Sequence, residues 1–184
     1  GCSACVNACA KAAITMVPDK LGFMYPVINE SLCVNCGLCE HSCPNNNPVI
    51  KNLPQEAYVG HAVDSEEQLT STSGGMASVI SRWCLRQGGV VYGCSAKKCT
   101  HVKHIRVTSE EDLKYLKGSK YVQSDMNICY TQVKEDLRDN RMVVFIGTPC
   151  QCAGLRCYLK KEYENLYLID FVCHGVPSQK LFCN

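Results

Sequence analysis

Four cysteines, Cys33, Cys36, Cys39 and Cys43, are separated by two, two and three residues and are followed by Pro44. Little else in the chain restricts geometry as tightly. Three thiols in so short a loop converge on one small centre, while the fourth, carried to the start of a helix, points away from it. The spacing recurs upstream. Adding 34 to Cys2, Cys5 and Cys9 gives Cys36, Cys39 and Cys43, and subtracting 34 from Cys33 puts a partner two residues before Gly1. The repeat therefore predicts a first copy truncated at its N-terminus. Ala10 stands where the second copy has Pro44.

This C-x2-C-x2-C-x3-C-P run is the signature of a bacterial-type ferredoxin, and it predicts two [4Fe-4S] clusters ligated crosswise. Cys9, Cys33, Cys36 and Cys39 would hold one; Cys2, Cys5 and Cys43 would hold the other with the residue upstream. Strands are expected at 12–17 and 24–28 around a turn at 19–22, giving a βαββαβ module over residues 1–47. Ser3, Ala4, Ala8 and Gly37 are small enough to let backbone amides approach the sulfurs. Structural zinc prefers two separated C-x2-C knuckles, so this run favours iron and sulfide over zinc. The sequence has 16 cysteines in 184 residues. A secreted disulfide scaffold would account for the number but not for the ligand spacing. Thiolates held on iron point instead to a reducing compartment, the cytoplasm. The net charge of +2 gives no footprint for nucleic acid. No stretch approaches the roughly 18 apolar residues of a membrane span.

After the polar, proline-bearing linker at 48–56, the pattern changes to alternating strands and helices over 57–184. Strands are expected at 57–63, 90–93, 101–107, 141–146 and 165–172. Helices are expected at 76–86, 110–116, 126–137 and 151–159, with another opening at Ser178. Apolar strands alternating with helices predict a mainly parallel, covered sheet. The whole is thus α+β: a small ferredoxin-type module followed by an α/β domain, interrupted by the end of the chain.

Ligands of such sheets bind at the carboxyl ends of the strands. Gly147-Thr148-Pro149-Cys150-Gln151 follows one strand, and Cys150 falls near a helix N-terminus, where the dipole favours a thiolate. Cys173-His174-Gly175-Val176-Pro177-Ser178 follows another. Ser73-Gly74-Gly75 precedes a helix and offers amides to a phosphate, and Gly118-Ser119-Lys120-Tyr121 adds a small basic loop. Each also has a plain reading: an N-cap and tight turn at 73–75, core thiols at Cys150 and Cys173, a turn-orienting His174. Cys84, Cys129, Cys157 and Cys183 read as helix cysteines of the core or surface. Cys94 and Cys99 flank Lys97-Lys98 at a spacing that fits no metal motif. Cys152 is expected to point away from Cys150.

These four stretches, with Lys117 to Ser124 and Ala153-Gly154-Leu155, resemble the family of coenzyme F-420 hydrogenase/dehydrogenase beta subunits over residues 57–184. The resemblance implies a flavin-binding (FAD) oxidoreductase domain, with Ser73, Gly74, Gly75, Lys120, Gly147, Thr148 and Cys150 as cofactor-binding candidates. Family members can carry an additional [4Fe-4S] cluster here, for which Cys150 and Cys173 are the first candidates and Cys94 and Cys99 the second. The expected function is an iron–sulfur oxidoreductase passing electrons from ferredoxin-type clusters to a flavin and then to a hydride or electron acceptor. A redox partner protein or subunit and a small-molecule acceptor are the implied partners, and use of coenzyme F-420 is left open. The alternatives are a pure electron-transfer subunit and an accessory redox protein of polysaccharide biosynthesis. A thiol enzyme using Cys150 and Cys152 lacks the C-x-x-C spacing.

Overall fold

A computed structural model describes residues 1–50, 52–96 and 102–182. Cys99, Cys183, the Lys97-Lys98 pair and the His101 start of an expected strand lie outside the described residues.

The first 47 residues contain a short helix α1 (Ala4–Ala8), an antiparallel pair β1 (Ile14–Pro18) and β2 (Met24–Ile28), and a second short helix α2 (Leu38–His41). The two copies of the cysteine repeat fold alike. Both helices start after a residue in the left-handed region, Ser3 (φ 60°) and Gly37 (φ 70°). Their backbone hydrogen bonds match at the same offset. The Asn7 amide donates to the Ser3 carbonyl as His41 does to Gly37; Cys9 donates to Val6 as Cys43 does to Glu40; Ala12 donates to Cys9 as Asn46 does to Cys43. The 34-residue sequence repeat is therefore a repeat of backbone conformation.

The remainder is built from α3 (Ser65–Thr70), α4 (Met76–Arg86), β3 (Val90–Ala96), β4 (Val102–Val107), a 3-10 helix (Glu110–Tyr115), α5 (Cys129–Arg138), β5 (Val143–Gly147), α6 (Pro149–Leu159), β6 (Leu166–Asp170) and α7 (Gln179–Phe182). The sheet order is β4-β3-β5-β6. β3, β5 and β6 run parallel, and β4 returns antiparallel to β3. The sheet is thus mixed and mostly parallel. The antiparallel member follows from the short connection between β3 and β4, since a parallel return needs a crossover of a dozen or more residues.

Alternation along the strands separates two cores. Val90, Tyr92, Val143 and Phe145 face α5 and α6, where Tyr130, Val133 and Leu155 complete one core. Val91 and Val144 face the other way, with Val107, Leu113 and Cys84 of α4. The sheet is covered on both faces, as its apolar strands predict.

One expected strand is absent. Residues 57–63 form neither helix nor strand. Tyr58, Val59 and Val63 are fully solvent-facing, and only Ala62 is buried, its amide donating to the Gly74 carbonyl (2.6 Å). Among the described residues the apolar pattern there has no neighbouring strand to pair with, and Ala62 ties the segment to the 73–75 turn. The expected helix at 110–116 is a 3-10 helix.

Candidate functional site: a glycine-rich cavity beside the cysteine repeat

The carboxyl ends of β3, β5 and β6 open onto a cavity of about 880 Å³. The loops singled out at 73–75, 118–121, 147–151 and 173–177 all contribute to its lining. Ser73, Gly74 and Gly75 come from the turn before α4, Lys120 from the 117–124 loop, Gly147 from the end of β5, Thr148 and Cys150 from the start of α6, and Cys173 from the loop after β6. Cys94, His104, Ser124 and Gln151 join them. The topology brings in the segments after β5 and β6, because parallel strands deliver their following loops to one edge of the sheet, while the 73–75 turn and the 117–124 loop are drawn to that edge by tertiary contacts.

Local chemistry shapes each wall. Gly75, at φ 77°, is the N-cap of α4, and no side chain caps that helix. A left-handed N-cap suits glycine, and the uncapped first turn of an 11-residue helix presents amides and positive dipole to an anion. α6 is closed differently. The Thr148 side chain caps the Gln151 amide, and the Gln151 Oε1 accepts from the Thr148 amide (2.9 Å), with Pro149 in the first turn. Cys150 remains exposed with its Sγ 3.1 Å from Thr148 Oγ1, whereas Cys152 is buried against the Ile169 carbonyl, its thiol pushed up to about 12 by burial. The two thiols point apart, as their spacing predicts. Lys120 is half-buried, and its ammonium donates to the carbonyls of Leu116 and Lys117 (2.8 Å each), leaving one of three donors for the cavity. Burial lowers its pKa, and it faces Cys94.

Two polar devices hold the walls together, and sequence reasoning did not single out their central residues. The first centres on His104. Its Nε2 must donate to the Ile146 carbonyl (3.0 Å), since a carbonyl can only accept. Nδ1 therefore accepts from Ser124 Oγ (2.7 Å), whose oxygen accepts from Gln151 Nε2 (2.8 Å). Burial pushes the imidazole down to about 4, so it is neutral at pH 7 with one fixed tautomer. Its only sequence signal is phase: it shares the buried face of β4 with Val102. The second device centres on Glu67 in α3. This buried carboxylate takes Arg82 (2.7 Å), Lys117 (2.9 Å) and Ser71 Oγ (3.0 Å), and Arg82 continues to Glu110 (2.9 Å). Glu67 thus ties α4, the 71–75 turn and the 117–124 loop to one point.

The cysteine repeat is packed against this domain through its first copy. Ala4 is fully buried in the core formed by Tyr130, Phe145 and Leu155. Asn7 Nδ2 donates to the Asn127 carbonyl (2.7 Å), and Asn7 Oδ1 accepts from the amide and hydroxyl of Thr131 (3.2 and 3.3 Å). Gln123, a cavity residue, donates to the Gly1 carbonyl (2.7 Å).

The seven cysteines of the repeat carry no disulfide. Cys5 interacts electrostatically with Cys2 and Cys43, and Cys2 with Cys43 and Cys150. Cys2, a member of one crosswise set, lies against Gly154 of α6, the helix whose first turn carries Cys150. In the other set, Cys36 is exposed. The Ala13 amide donates to Cys9 Sγ (3.3 Å) and the Asn35 amide to Cys33 Sγ (3.4 Å). Among the described residues, no three His, Cys, Asp or Glu side chains form a preassembled ion cage. The donor set nevertheless suits iron–sulfur chemistry: all thiol, with amides on sulfur. Ser42 Oγ, buried next to Cys43, has no hydrogen-bond partner among the described residues, an orphan that a cluster sulfur would satisfy.

Residues 1–47 match the 4Fe-4S dicluster domain family. The chain is similar to a subunit of the F(420)H(2) dehydrogenase of Methanosarcina mazei, at 22% identity over 177 residues, covering 91% of this chain and 50% of that protein. It thus spans about half the length of the curated relative it matches. Among solved structures it is similar to a chain of the F420-reducing [NiFe] hydrogenase complex from Methanosarcina barkeri (TM-score 0.44, 22% identity, covering 54% of this chain and 36% of that one).

Proposed function

For a chain that belongs to the family of coenzyme F-420 hydrogenase/dehydrogenase beta subunits and carries a 4Fe-4S dicluster domain at residues 1–47, we propose the role of an electron-transfer oxidoreductase component joining two clusters to a flavin. One observation carries the reading. All of the loops that resemble the family line one cavity, and Cys2 of the cysteine repeat lies against Gly154 of α6, the helix whose first turn carries the cavity's exposed thiol, Cys150. We read residues 1–47 as the ferredoxin-type module, with α1-β1-β2-α2 as the middle of its βαββαβ order, 48–56 as a linker, and 57–184 as the flavin domain.

A bound flavin pairs single electrons for two-electron chemistry. The residues of this chain bind and orient. Cys2, Cys5 and Cys43 would hold the inner cluster, and Cys9, Cys33, Cys36 and Cys39 the outer one. The uncapped amides at Gly75 and the remaining donor of Lys120 suit the phosphates of FAD, with Ser73, Gly74, Gly147 and Thr148 lining its path. His104, neutral and committed to Ile146 and Ser124, shapes the floor and does not supply a proton at neutral pH. Cys150 and Cys173 share the same cavity and are the candidates for a further cluster. Among the described residues no helix is long and apolar enough to cross a membrane. A partner subunit, a small-molecule acceptor and a cytoplasmic setting complete the proposal; coenzyme F-420 is one candidate acceptor.

Anaerobic reconstitution tests it. In the full-length protein two clusters require about eight iron and eight sulfide per chain, and the cavity should retain a flavin through gel filtration. Iron without flavin would leave a pure electron carrier. Stoichiometric zinc would overturn both.

A further inference from the structure

We infer that Gly154 is a positioning residue: it seats the Cys2 loop against α6 and thereby fixes the inner cluster beside the cavity. The inference rests on the two-cluster reading above and concerns how that cluster is held.

Gly154 lies inside α6, and its φ is not in the left-handed region, so its backbone asks for no glycine. A glycine inside a helix is disfavoured against alanine. The reason for it is found in space. A Cβ at residue 154 would lie 2.8 Å from Cys2 Sγ, 3.1 Å from Cys2 Cβ and 3.0 Å from the Tyr130 hydroxyl. Tyr130 cannot yield. It is fully buried, and its hydroxyl donates to the Gln151 carbonyl (2.8 Å). Cys2 is held from behind, since Gln123 fixes Gly1, Ala4 is in the core and Asn7 is tied to Asn127 and Thr131. The glycine is therefore the space into which a cluster-bearing cysteine fits.

The neighbours on the helix fit this role. Residues 150, 154 and 157 occupy one face, at i, i+4 and i+7. Cys2 lies against the middle of that stripe, at Gly154. Cys157 Sγ also contacts the Asn47 carbonyl at the end of the second cysteine copy (3.4 Å). The face of α6 around Gly154 is thus the docking face for the inner half of the repeat.

The test is Gly154→Ala in the full chain, reconstituted anaerobically, with the reduced clusters followed by electron paramagnetic resonance. Cys36→Ser removes the outer cluster and identifies the inner signal. In Gly154→Ala the inner signal should shift or be lost, and the outer one should be unchanged. With complete loss, iron falls from about eight to about four per chain. The thermal midpoint should fall as well, because the added methyl also meets the fully buried Tyr130 hydroxyl, so the selective change of the inner signal, and not the stability, decides. Gly154→Ala with Tyr130→Phe should keep the spectral defect, since the overlap with Cys2 remains. Unchanged inner and outer signals in Gly154→Ala, or rescue by Tyr130→Phe, would overturn the seat while leaving the two-cluster reading intact. A wild-type chain that binds no cluster would overturn both.

Discussion

Glu67 offers a quantitative test of how the cavity is braced. Glu67→Gln keeps the volume of the side chain and removes its charge. The carboxylate accepts from Arg82, Lys117 and Ser71 while almost wholly buried. Breaking a buried ion pair outright costs about 3–5 kcal/mol. Here the loss is smaller, because Arg82 retains Glu110 and Lys117 retains Thr70 Oγ1. Exchanging two charge-assisted bonds for neutral ones, at roughly 1 kcal/mol each, gives about 2 kcal/mol. For a chain of this size that lowers the thermal midpoint by about 4–8 °C. The pH dependence follows from the sign of the shift. Hydrogen bonds from Lys117, Ser78, Ser71 and Arg82 outweigh the burial that opposes them and hold the carboxyl at about 2, against 4.5 for the free group. Its contribution is complete above 4.5 and is lost as pH falls toward 2. The gap between wild type and Glu67→Gln, followed by circular dichroism, should be constant from about pH 8 to 5.5 and narrow below about 4.5. A gap under about 0.5 kcal/mol, the range of ordinary surface substitutions, would refute the claim that Glu67 braces the cavity.

His104 should leave a signature of opposite origin. Its pKa is lowered to about 4, so the unfolded chain binds more protons between that value and 6.5, and stability should rise with pH across this window. His104→Gln should flatten that segment of a urea-unfolding series. Cys36→Ser should halve iron and sulfide, from about eight to about four each, without altering flavin content. Leu155→Ala empties a fully buried position between α6 and the sheet and should cost about 2–5 kcal/mol of unfolding free energy.

The parts of this molecule that sequence reveals are those governed by local rules. The spacing of Cys33, Cys36, Cys39 and Cys43 dictates a tight loop and a helix start, and the offset of 34 carries into matching backbone hydrogen bonds. Gly-Thr-Pro before Cys150 is a helix start because threonine caps and proline suits the first turn. Bringing the loops after β5 and β6 to one cavity needs only the rule that parallel strands present their carboxyl ends together. What failed at residues 57–63 was the step from pattern to partner. Alternating apolar residues are compatible with a strand, but a strand requires a neighbour, and among the described residues Val59 has none. The residues that join the two halves were invisible for a related reason. Asn7 on α1, within the first cysteine copy, and Thr131 on α5 are 124 positions apart, and neither has a type or spacing that announces the other. Glu67 reads as one more acid in a helix start that Asp64 caps, until Arg82 and Lys117 are brought to it by the fold. Gly154 reads as a weak point in a helix. Only the approach of Cys2 turns that weakness into space that the cysteine repeat occupies.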